Sequence, residues 1–234
     1  EIYQCDWSSD VCSSDLISSF LVTLGALTIG APLGLSCAIY LSEYSGKRMK
    51  MLLKPAIELL AGIPSVVFGF LGVIYIVPLV RNYLGGSGFS LISTSLVLGV
   101  MILPTIISIS FDALVSVPKT YREASAAMGA TKWQTIYKVI IPSAKSGILA
   151  SFILGMGRAI GETMAVIMIA GNALKIPTSL LDPLRTLTGN IALELAYATG
   201  DHRLALFSTG VVLMIIIMAL NYIANFGIKR KIAK

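Results

Sequence analysis

The chain has 234 residues and a formal net charge of +6, yet only 13% of its residues are charged, whereas 56% are hydrophobic. The mean hydropathy is +0.84. A soluble globular domain contains about 25% charged residues, so this composition excludes that class. Several apolar runs reach the roughly 20 residues that a membrane-spanning helix requires, which indicates a polytopic α-helical membrane protein. The positive charges lie in loops beside these runs and do not indicate a nucleic-acid-binding surface.

The first sixteen residues, EIYQCDWSSDVCSSDL, differ from the rest of the chain. They are polar and acidic and contain two of the three cysteines, and at Ile17 the composition changes abruptly to that of a membrane span. The run CDWSSDVCSSDL resembles a translated DNA-sequencing adaptor. We therefore interpret residues 1–16 as a non-native leader and exclude them from reasoning about the fold. The alternative is a genuine loop outside the membrane.

Five apolar segments are predicted to cross the membrane. The fifth follows a long loop, 172–203, which contains a short amphipathic helix near Ile191–Ala198. The predicted fold is therefore all-α, a transmembrane helical bundle over residues 17–234. The spans are expected at about 17–41, 57–80, 89–111, 147–171 and 204–226.

Basic residues are distributed unequally among the loops. Thirteen lie in the segments 43–56, 112–146 and 229–234, whereas the loops on the opposite side contain four. Loops rich in Lys and Arg remain in the cytoplasm, so we predict a cytoplasmic location for residues 112–146 and for the C-terminus. The first span then starts outside the cytoplasm. Five spans in this orientation predict an earlier span in a parent protein of about six.

Residues 112–146, between the third and fourth spans, form a short, charged and punctuated segment. Pro118 fits the first turn of a helix over KTYREASAAM, and Gly129 fits a left-handed cap at its end. Thr131 begins a second helix, KWQTIYKVII, with capping-box spacing, and Pro142 ends or kinks it. The pattern predicts a helix–glycine–helix elbow at the membrane surface. Taken alone, it is equally compatible with a solvated loop.

The elbow also carries a longer motif with fixed gaps. Glu123, Ala124 and Ser125 are followed by Gly129 and later by Pro142. This series resembles the EAA motif of ABC-importer permeases, E-A-A-x3-G-x9-I-x-L-P, with three conservative replacements. The resemblance implies that the elbow is a coupling helix that docks into a groove on a cytoplasmic ATPase, and that these five residues form the coupling site.

Arg158 and Glu162 are the only charged residues of the fourth predicted span. A charge inside a membrane is costly and usually faces a cavity or a partner. Their i, i+4 spacing predicts that both lie on one helical face. An arginine fork is suited to an oxyanion, and Glu162 either holds Arg158 in place or accepts a proton from a protonated oxyanion. The alternative is an ion pair that fixes packing between subunits.

The stretch GRAIGETMAVIMIAGN around these charges, together with GIPSVVFGFLG in the second span, resembles phosphate-importer permeases of the PstC type. The resemblance covers residues 17–234 and implies a type I-like permease fold. It implies that Arg158, Glu162 and Thr163 line the substrate path.

The same resemblance implies a set of partners. They are a PstA-type second permease subunit, a dimer of cytoplasmic ATPases, and a periplasmic or extracellular phosphate-binding protein. The protein is then a multi-pass subunit in the plasma (inner) membrane of a bacterium or archaeon. The sequence contains no G-x-x-x-x-G-K-[ST] loop, so we expect a transport subunit that is not an enzyme and needs no cofactor, with ATP hydrolysed by a partner.

Three other functions are considered. A sulfate or molybdate permease would usually continue its R-x-x-G-E element with Phe-Gly, whereas Thr163-Met164 follow here. An intramembrane enzyme would need catalytic pairs in the spans, but the only histidine, His202, lies at a loop edge. A secondary transporter driven by an ion gradient predicts inverted repeats, and we find none in the sequence.

Overall fold

The structure, a computed structural model, describes residues 10–232, with side chains from 13 to 222. Within that range the β-structure is limited to one isolated bridge between Gly171 and Leu184. The chain forms two compact units. The first contains the residues up to Ile29 together with Pro64–Met101 and Met156–Leu220; the second contains Gly30–Ile63, Ile102–Gly155 and the chain from Asn221 onward.

The helices are numbered here in chain order, and three of them continue through a π-helical turn. They are α1 Asp10–Ile39 with the π turn Tyr40–Tyr44, α2 Lys47–Ala61, α3 Ser65–Leu71 with the π turn Gly72–Ile76, α4 Val77–Leu84, α5 Leu91–Val115, α6 Lys119–Ala127, α7 Lys132–Thr135 with the π turn Ile136–Ile140, α8 Ile141–Ser143, α9 Lys145–Ile160, α10 Met164–Ile169, α11 Leu187–Glu194 and α12 Gly200–Ile232.

The helical stretches agree with the predicted number of spans. In the described part of the chain, four are long and apolar enough to cross a membrane, and a fifth results if a bent pair of helices counts as one. That pair is Lys132–Ser143 and Lys145–Ile160, with 70° between its halves. The all-α fold with about five spans is confirmed. The four unbroken stretches are Ser13–Tyr44, Ser65–Leu84, Leu91–Val115 and Gly200–Tyr222.

The second span begins later than the sequence predicts. Its predicted start at Ile57 is wrong, because Ile57 belongs to the separate helix α2, which contains no buried residue. Pro64 then adopts an extended conformation, with φ −57° and ψ 135°, immediately before α3. A proline disfavours helix at the residue before it, which accounts for the break between α2 and α3.

Glycines permit close packing in the first unit. A Cβ at Gly72 would lie 2.5 Å from Cδ1 of Ile169 and 2.7 Å from Cγ2 of Val97. A Cβ at Gly69 would lie 2.9 Å from Cα of Ala165. The glycines of α3 and of its π turn therefore allow close packing against α10.

An apolar core organises the second unit around one end of α5. Its buried side chains come from the end of α1, from α5, from the turn Ile136–Ile140 and from α9. The hydroxyl oxygens of Ser110 and Ser151, both buried, lie 2.7 Å apart. The elbow is thus attached to the long helices by hydrophobic burial. The core residues are Ala38, Leu41, Ile107, Phe111, Leu114, Val117, Ile136, Ile140, Ala144 and Ile148.

Gly88 occupies a position that we expect to tolerate only glycine. Its φ is +80°, and a Cβ there would lie 2.4 Å from the carbonyl oxygen of Val77. We expect Gly88→Ala to lower the free energy of unfolding by about 3 kcal/mol, because left-handed strain and a backbone clash add together. Gly129 provides the matched control, since its φ is +79° but a Cβ would meet nothing within 4 Å. Gly129→Ala should cost about 1–2 kcal/mol. Equal losses in thermal unfolding would contradict the clash.

Candidate functional site

The first arm of the elbow ends as the sequence predicts. Helix α6 is followed by Gly129 with φ +79°. The amide of Ala130 donates to the carbonyl of Ser125 at 3.2 Å, and the amide of Gly129 donates to that of Ala126 at 2.9 Å. These two bonds form a Schellman motif, which requires the left-handed residue. The predicted glycine cap is confirmed.

The second arm begins with the predicted capping box. The amide of Gln134 donates to Oγ1 of Thr131 at 3.3 Å, and Oε1 of Gln134 accepts from the amide of Thr131 at 2.9 Å. The arm continues through its π turn as far as Ser143 and is followed by a 70° bend. Pro142 lies in the last helical turn before that bend, in agreement with the predicted kink.

One hydrogen bond joins the two arms of the elbow. The hydroxyls of Ser125 and Thr135 lie 2.9 Å apart and join the two arms. Ser125 is the residue that replaces an alanine of the EAA pattern, so this replacement adds a hydrogen bond across the elbow. Glu123 and Ala124 are exposed beside it, and Met128 is 88% exposed. The elbow therefore presents a small, partly apolar surface.

Arg122 anchors the elbow, and the sequence analysis did not identify this role. Its Nη2 donates to Oε1 of Glu43 at 2.8 Å and to the carbonyl of Leu114 at 3.0 Å. Its Nη1 donates to the carbonyl of Val117 at 2.7 Å. The last carbonyls of a helix have no partner within the helix, so the guanidinium satisfies groups at the end of α5 as well as a carboxylate.

A pocket of about 360 Å³ lies beside this anchor. Lysine, arginine and glutamate side chains from α2 and α6 line it, and Glu123 of the predicted coupling site is among them. The Nζ of Lys50 donates to the carbonyl of Ser42 at its edge. The coupling residues thus border a polar recess. Its lining consists of Ser42, Lys50, Val115, Lys119, Arg122 and Glu123.

The fourth predicted span is not one continuous helix. Helix α9 ends at Ile160, and residues 161–163 separate it from the short helix α10. The prediction that Arg158 and Glu162 share a helical face is therefore wrong. Gly161 introduces the break, and Oε1 of Glu162 then accepts a hydrogen bond from the amide of Ala165 at 3.2 Å. A carboxylate at this position stabilises the start of a helix, which favours two helices over one.

The structure places the three predicted path residues around this break. Arg158 is half-buried in the last turn of α9. Thr163 directly precedes α10, and its hydroxyl donates to the carbonyl of Gly161 at 3.3 Å. The main-chain carbonyl of Glu162 accepts from the hydroxyl of Thr188 at 2.9 Å. The break is therefore fastened to α11, an element that the sequence analysis placed about four residues too late.

The loop before α12 contains a charged network that sequence reasoning did not find. Arg185 has a side chain only 5% exposed and forms an ion pair with Glu194. His202 Nε2 lies 3.1 Å from the other carboxylate oxygen of Glu194. From their position in and beside a loop, these side chains are expected to be solvated. The sequence alone does not show which of them are in contact.

The N-terminal segment also reaches this network. Residues 10–16 continue α1, and Asp15 is buried with its carboxylate 3.2 Å from Nε of Arg185. Residues 1–9 lie outside the described part of the chain. The interpretation of residues 1–16 as a non-native leader stays a prediction.

Together, the apolar spans and the basic elbow define a multi-pass membrane protein of the transport-permease class. Residues 30–234 match the family model described as "Binding-protein-dependent transport system inner membrane component". The chain belongs to this family, which confirms the resemblance stated from its motifs.

Curated relatives match most of the chain. The "Probable ABC transporter permease protein YqgH" of Bacillus subtilis is 43% identical, with 87% of this chain and 68% of the relative covered. The "Phosphate transport system permease protein PstC" of Mesorhizobium japonicum is 34% identical, with 88% and 69% covered. The "Probable phosphate transport system permease protein PstC" of Methanocaldococcus jannaschii is 31% identical, with 88% and 71% covered.

The fold is similar to that of solved transporters. A structure of the MetNI methionine ABC transporter in an inward-facing conformation has a TM-score of 0.66 at 21% identity, over 91% of this chain and 90% of that chain. An amino acid ABC transporter solved with histidines has a TM-score of 0.67 at 18% identity, over 94% of each chain. At these identities the likeness concerns the fold alone. It agrees with the predicted ABC importer permease architecture.

Proposed function

We propose that this chain is the PstC-type permease subunit of an ATP-driven phosphate importer. The observation that carries the proposal is Arg158, a half-buried guanidinium at the end of a helix in an otherwise apolar part of a transport permease. Relatives named as phosphate transport permeases match 88% of the chain. Arginine presents a permanently charged fork of donors that suits a tetrahedral oxyanion.

Arg158, Glu162 and Thr163 form the substrate path in this proposal, with roles adapted to the broken span. Arg158 attracts the anion. Glu162, whose carboxylate accepts from the amide of Ala165, keeps the break in place and limits how tightly an anion is held near Arg158. Weak retention is needed, because a transported ion must leave each site that it enters. Thr163 contributes a hydroxyl beside the break.

Coupling to ATP hydrolysis takes place at the elbow. The residues that match the EAA pattern, Glu123, Ala124, Ser125, Gly129 and Pro142, shape a compact helical turn whose outer surface is exposed. A cytoplasmic ATPase receives this surface in a groove and moves it when ATP is hydrolysed. The permease itself moves and hydrolyses no ATP. Anchoring of the elbow by Arg122 supports the idea, since a mobile loop would not transmit force.

The remaining partners and the orientation follow from this role. A periplasmic or extracellular phosphate-binding protein delivers the anion, a PstA-type permease completes the path, and two ATPases bind the two elbows. The excess of basic residues supports a cytoplasmic location for the elbow and the C-terminus. The native permease domain spans residues 17–234 and includes the coupling elbow 112–146, with residues 1–16 a non-native leader.

Anion import tests the proposal. The chain, expressed from its complete gene with a PstA-type permease, the ATPase and the binding protein, should restore uptake of labelled phosphate to cells that lack phosphate uptake. Sulfate and molybdate are measured in parallel. A transporter whose ATPase cannot hydrolyse ATP provides the control for ATP dependence. Uptake of sulfate or molybdate without phosphate would replace the substrate assignment and keep the transporter class.

A further inference from the structure

Asn190 of α11 is a fully buried side chain whose amide makes no hydrogen bond within the described residues. Its exposure is 0%, and neither Oδ1 nor Nδ2 has a partner there. Buried polar groups are nearly always paired, because each unpaired one loses its hydrogen bonds to water without replacement. Packing alone would favour an apolar residue at this position. The amide therefore needs an explanation beyond stability.

The neighbouring polar groups on α11 are satisfied, which makes Asn190 specific. Thr186 accepts from the amide of Gly189 at 3.2 Å and caps the helix. Thr188 donates to the carbonyl of Glu162 at 2.9 Å. Arg185 is paired with Glu194. The unmet hydrogen-bonding capacity thus belongs to one side chain and is not a general property of the helix.

A second unpaired group lies on a helix that contacts α11. The hydroxyl of Ser18 on α1 is buried, at 0% exposure, and has no partner among the described residues. The next residue, Ser19, accepts from the amide of Leu187 at 3.0 Å and so joins α1 to α11. Both unpaired side chains therefore belong to two helices of the first unit that are hydrogen-bonded to each other.

Helix α11 is also fastened to the break that carries the predicted path residues. The bond from Thr188 to the carbonyl of Glu162 holds the first turn of α11, two residues before Asn190, against residues 161–163. A displacement of the break therefore moves α11 with it. Asn190 is in this way mechanically connected to Glu162, and through it to the end of α9 with Arg158.

The chemistry of a free amide fits an oxyanion in transit. The NH2 group supplies two donors and a serine hydroxyl supplies a third, none with a net charge. Neutral donors replace part of the hydration shell of an anion without holding it as firmly as a second cation would. The amide also distinguishes a protonated from an unprotonated anion. Its carbonyl oxygen can accept a hydrogen bond from a protonated oxygen, and a fully ionised anion has no such O–H group.

We propose that Asn190, with Ser18, hydrogen-bonds the transported oxyanion when the path opens at α11, and that it is a selectivity residue of the transporter. This inference rests on the proposed function and assigns the groups that follow Arg158 along the path. The amide of Asn190, which has no partner among the described residues, forms its hydrogen bonds with the anion during transport.

The deciding experiment compares stability and transport in one variant. Asn190→Leu replaces the amide by an apolar group with the same branching. We expect an unchanged or higher melting temperature of the assembled transporter and import lowered about tenfold, the effect of losing roughly one hydrogen bond to a charged group. Ser110→Ala is the matched control, because Ser110 is buried but paired with Ser151. Its melting temperature should fall while import stays at the wild-type level.

Each result has a defined meaning. Import by Asn190→Leu at the wild-type rate would overturn the proposal, and so would a lower melting temperature with a parallel loss of import, the behaviour of an amide with a structural role. If Asn190→Leu does not assemble, Asn190→Ser, which keeps a donor, decides. Import below the wild-type level at an unchanged melting temperature supports the proposal, whereas wild-type import, or a loss of import in parallel with the melting temperature, overturns it. If wild type imports sulfate or molybdate instead of phosphate, the variants are compared with that anion, so the phosphate assignment fails separately.

Discussion

Replacing Arg158 by glutamine is expected to lower phosphate import about a hundredfold while the transporter still assembles with its ATPase. The glutamine side chain keeps a donor but loses the charge, and a charge-assisted interaction with an anion contributes about 2–5 kcal/mol. A loss of about 2.7 kcal/mol in the barrier corresponds to the hundredfold change. Uptake of labelled phosphate per assembled transporter measures it.

Two control variants separate the effect of the charge of Arg158 from the effect of its position. Arg158→Lys retains a positive charge but loses the planar fork, so import should fall less than in Arg158→Gln. Arg81→Gln makes the same chemical change at an exposed position of α4, where Arg81 donates to the carbonyl of Ser87 at 2.8 Å. It should leave import unchanged. Wild-type import by Arg158→Gln would remove Arg158 from the path and leave it a packing role.

The second large effect is expected at the elbow, for Arg122→Met. This variant removes the ion pair with Glu43, whose side chain is 9% exposed, and the bonds to the carbonyls of Leu114 in the last turn of α5 and of Val117 just after it. Leaving a buried carboxylate unpaired typically costs about 3–5 kcal/mol, and we expect about 3 because Arg122 is itself 26% exposed. Thermal unfolding in detergent measures the loss. If the elbow couples to an ATPase as proposed, import should fall as well, since an unanchored elbow would transmit motion poorly.

Lys54→Met is the matched control for that variant. Lys54 and Asp112 also form an ion pair at 2.7 Å in the second unit, but their side chains are 38% and 57% exposed. An exposed pair contributes at most about 1 kcal/mol. Combining Arg122→Met with Glu43→Gln should cost less than the sum of the two single changes, because each removes the other's partner. Equal losses in Arg122→Met and Lys54→Met would show that the elbow does not depend on this anchor.

The elbow could be predicted from the sequence because its structure follows local rules. The left-handed Gly129 and the capping box of Thr131 with Gln134 involve residues within a few positions of one another, where spacing and residue type decide the conformation. The number of spans was predictable for a similar reason, since an apolar run of sufficient length needs no tertiary information.

Features that depend on distant contacts were missed. A largely apolar run that also contains Gly155 and Gly157 gives no clear signal that the helix breaks at Gly161, so the fourth span was predicted as one helix. The anchor formed by Arg122 joins it to Glu43, 79 positions earlier in the chain. The unpaired amide of Asn190 becomes apparent only when its surroundings are known. Hydrophobic periodicity could assign each of these residues to a helix or a loop. It could not show which distant groups surround the residue in the folded chain.

The π-helical turns have a consequence for how relatives of this protein align. Within residues 10–232 there are three such turns, at Tyr40–Tyr44, Gly72–Ile76 and Ile136–Ile140. A π turn accommodates one residue more than an α-helical turn, so side chains beyond it are rotated by about 100° relative to a regular helix. Deletion of one residue there gives a regular α-helix in which the residues beyond the turn keep the faces that they have now. Single-residue gaps between homologous permeases are therefore structurally permissible at these three places, inside helices where an insertion or deletion would ordinarily misalign an entire buried face.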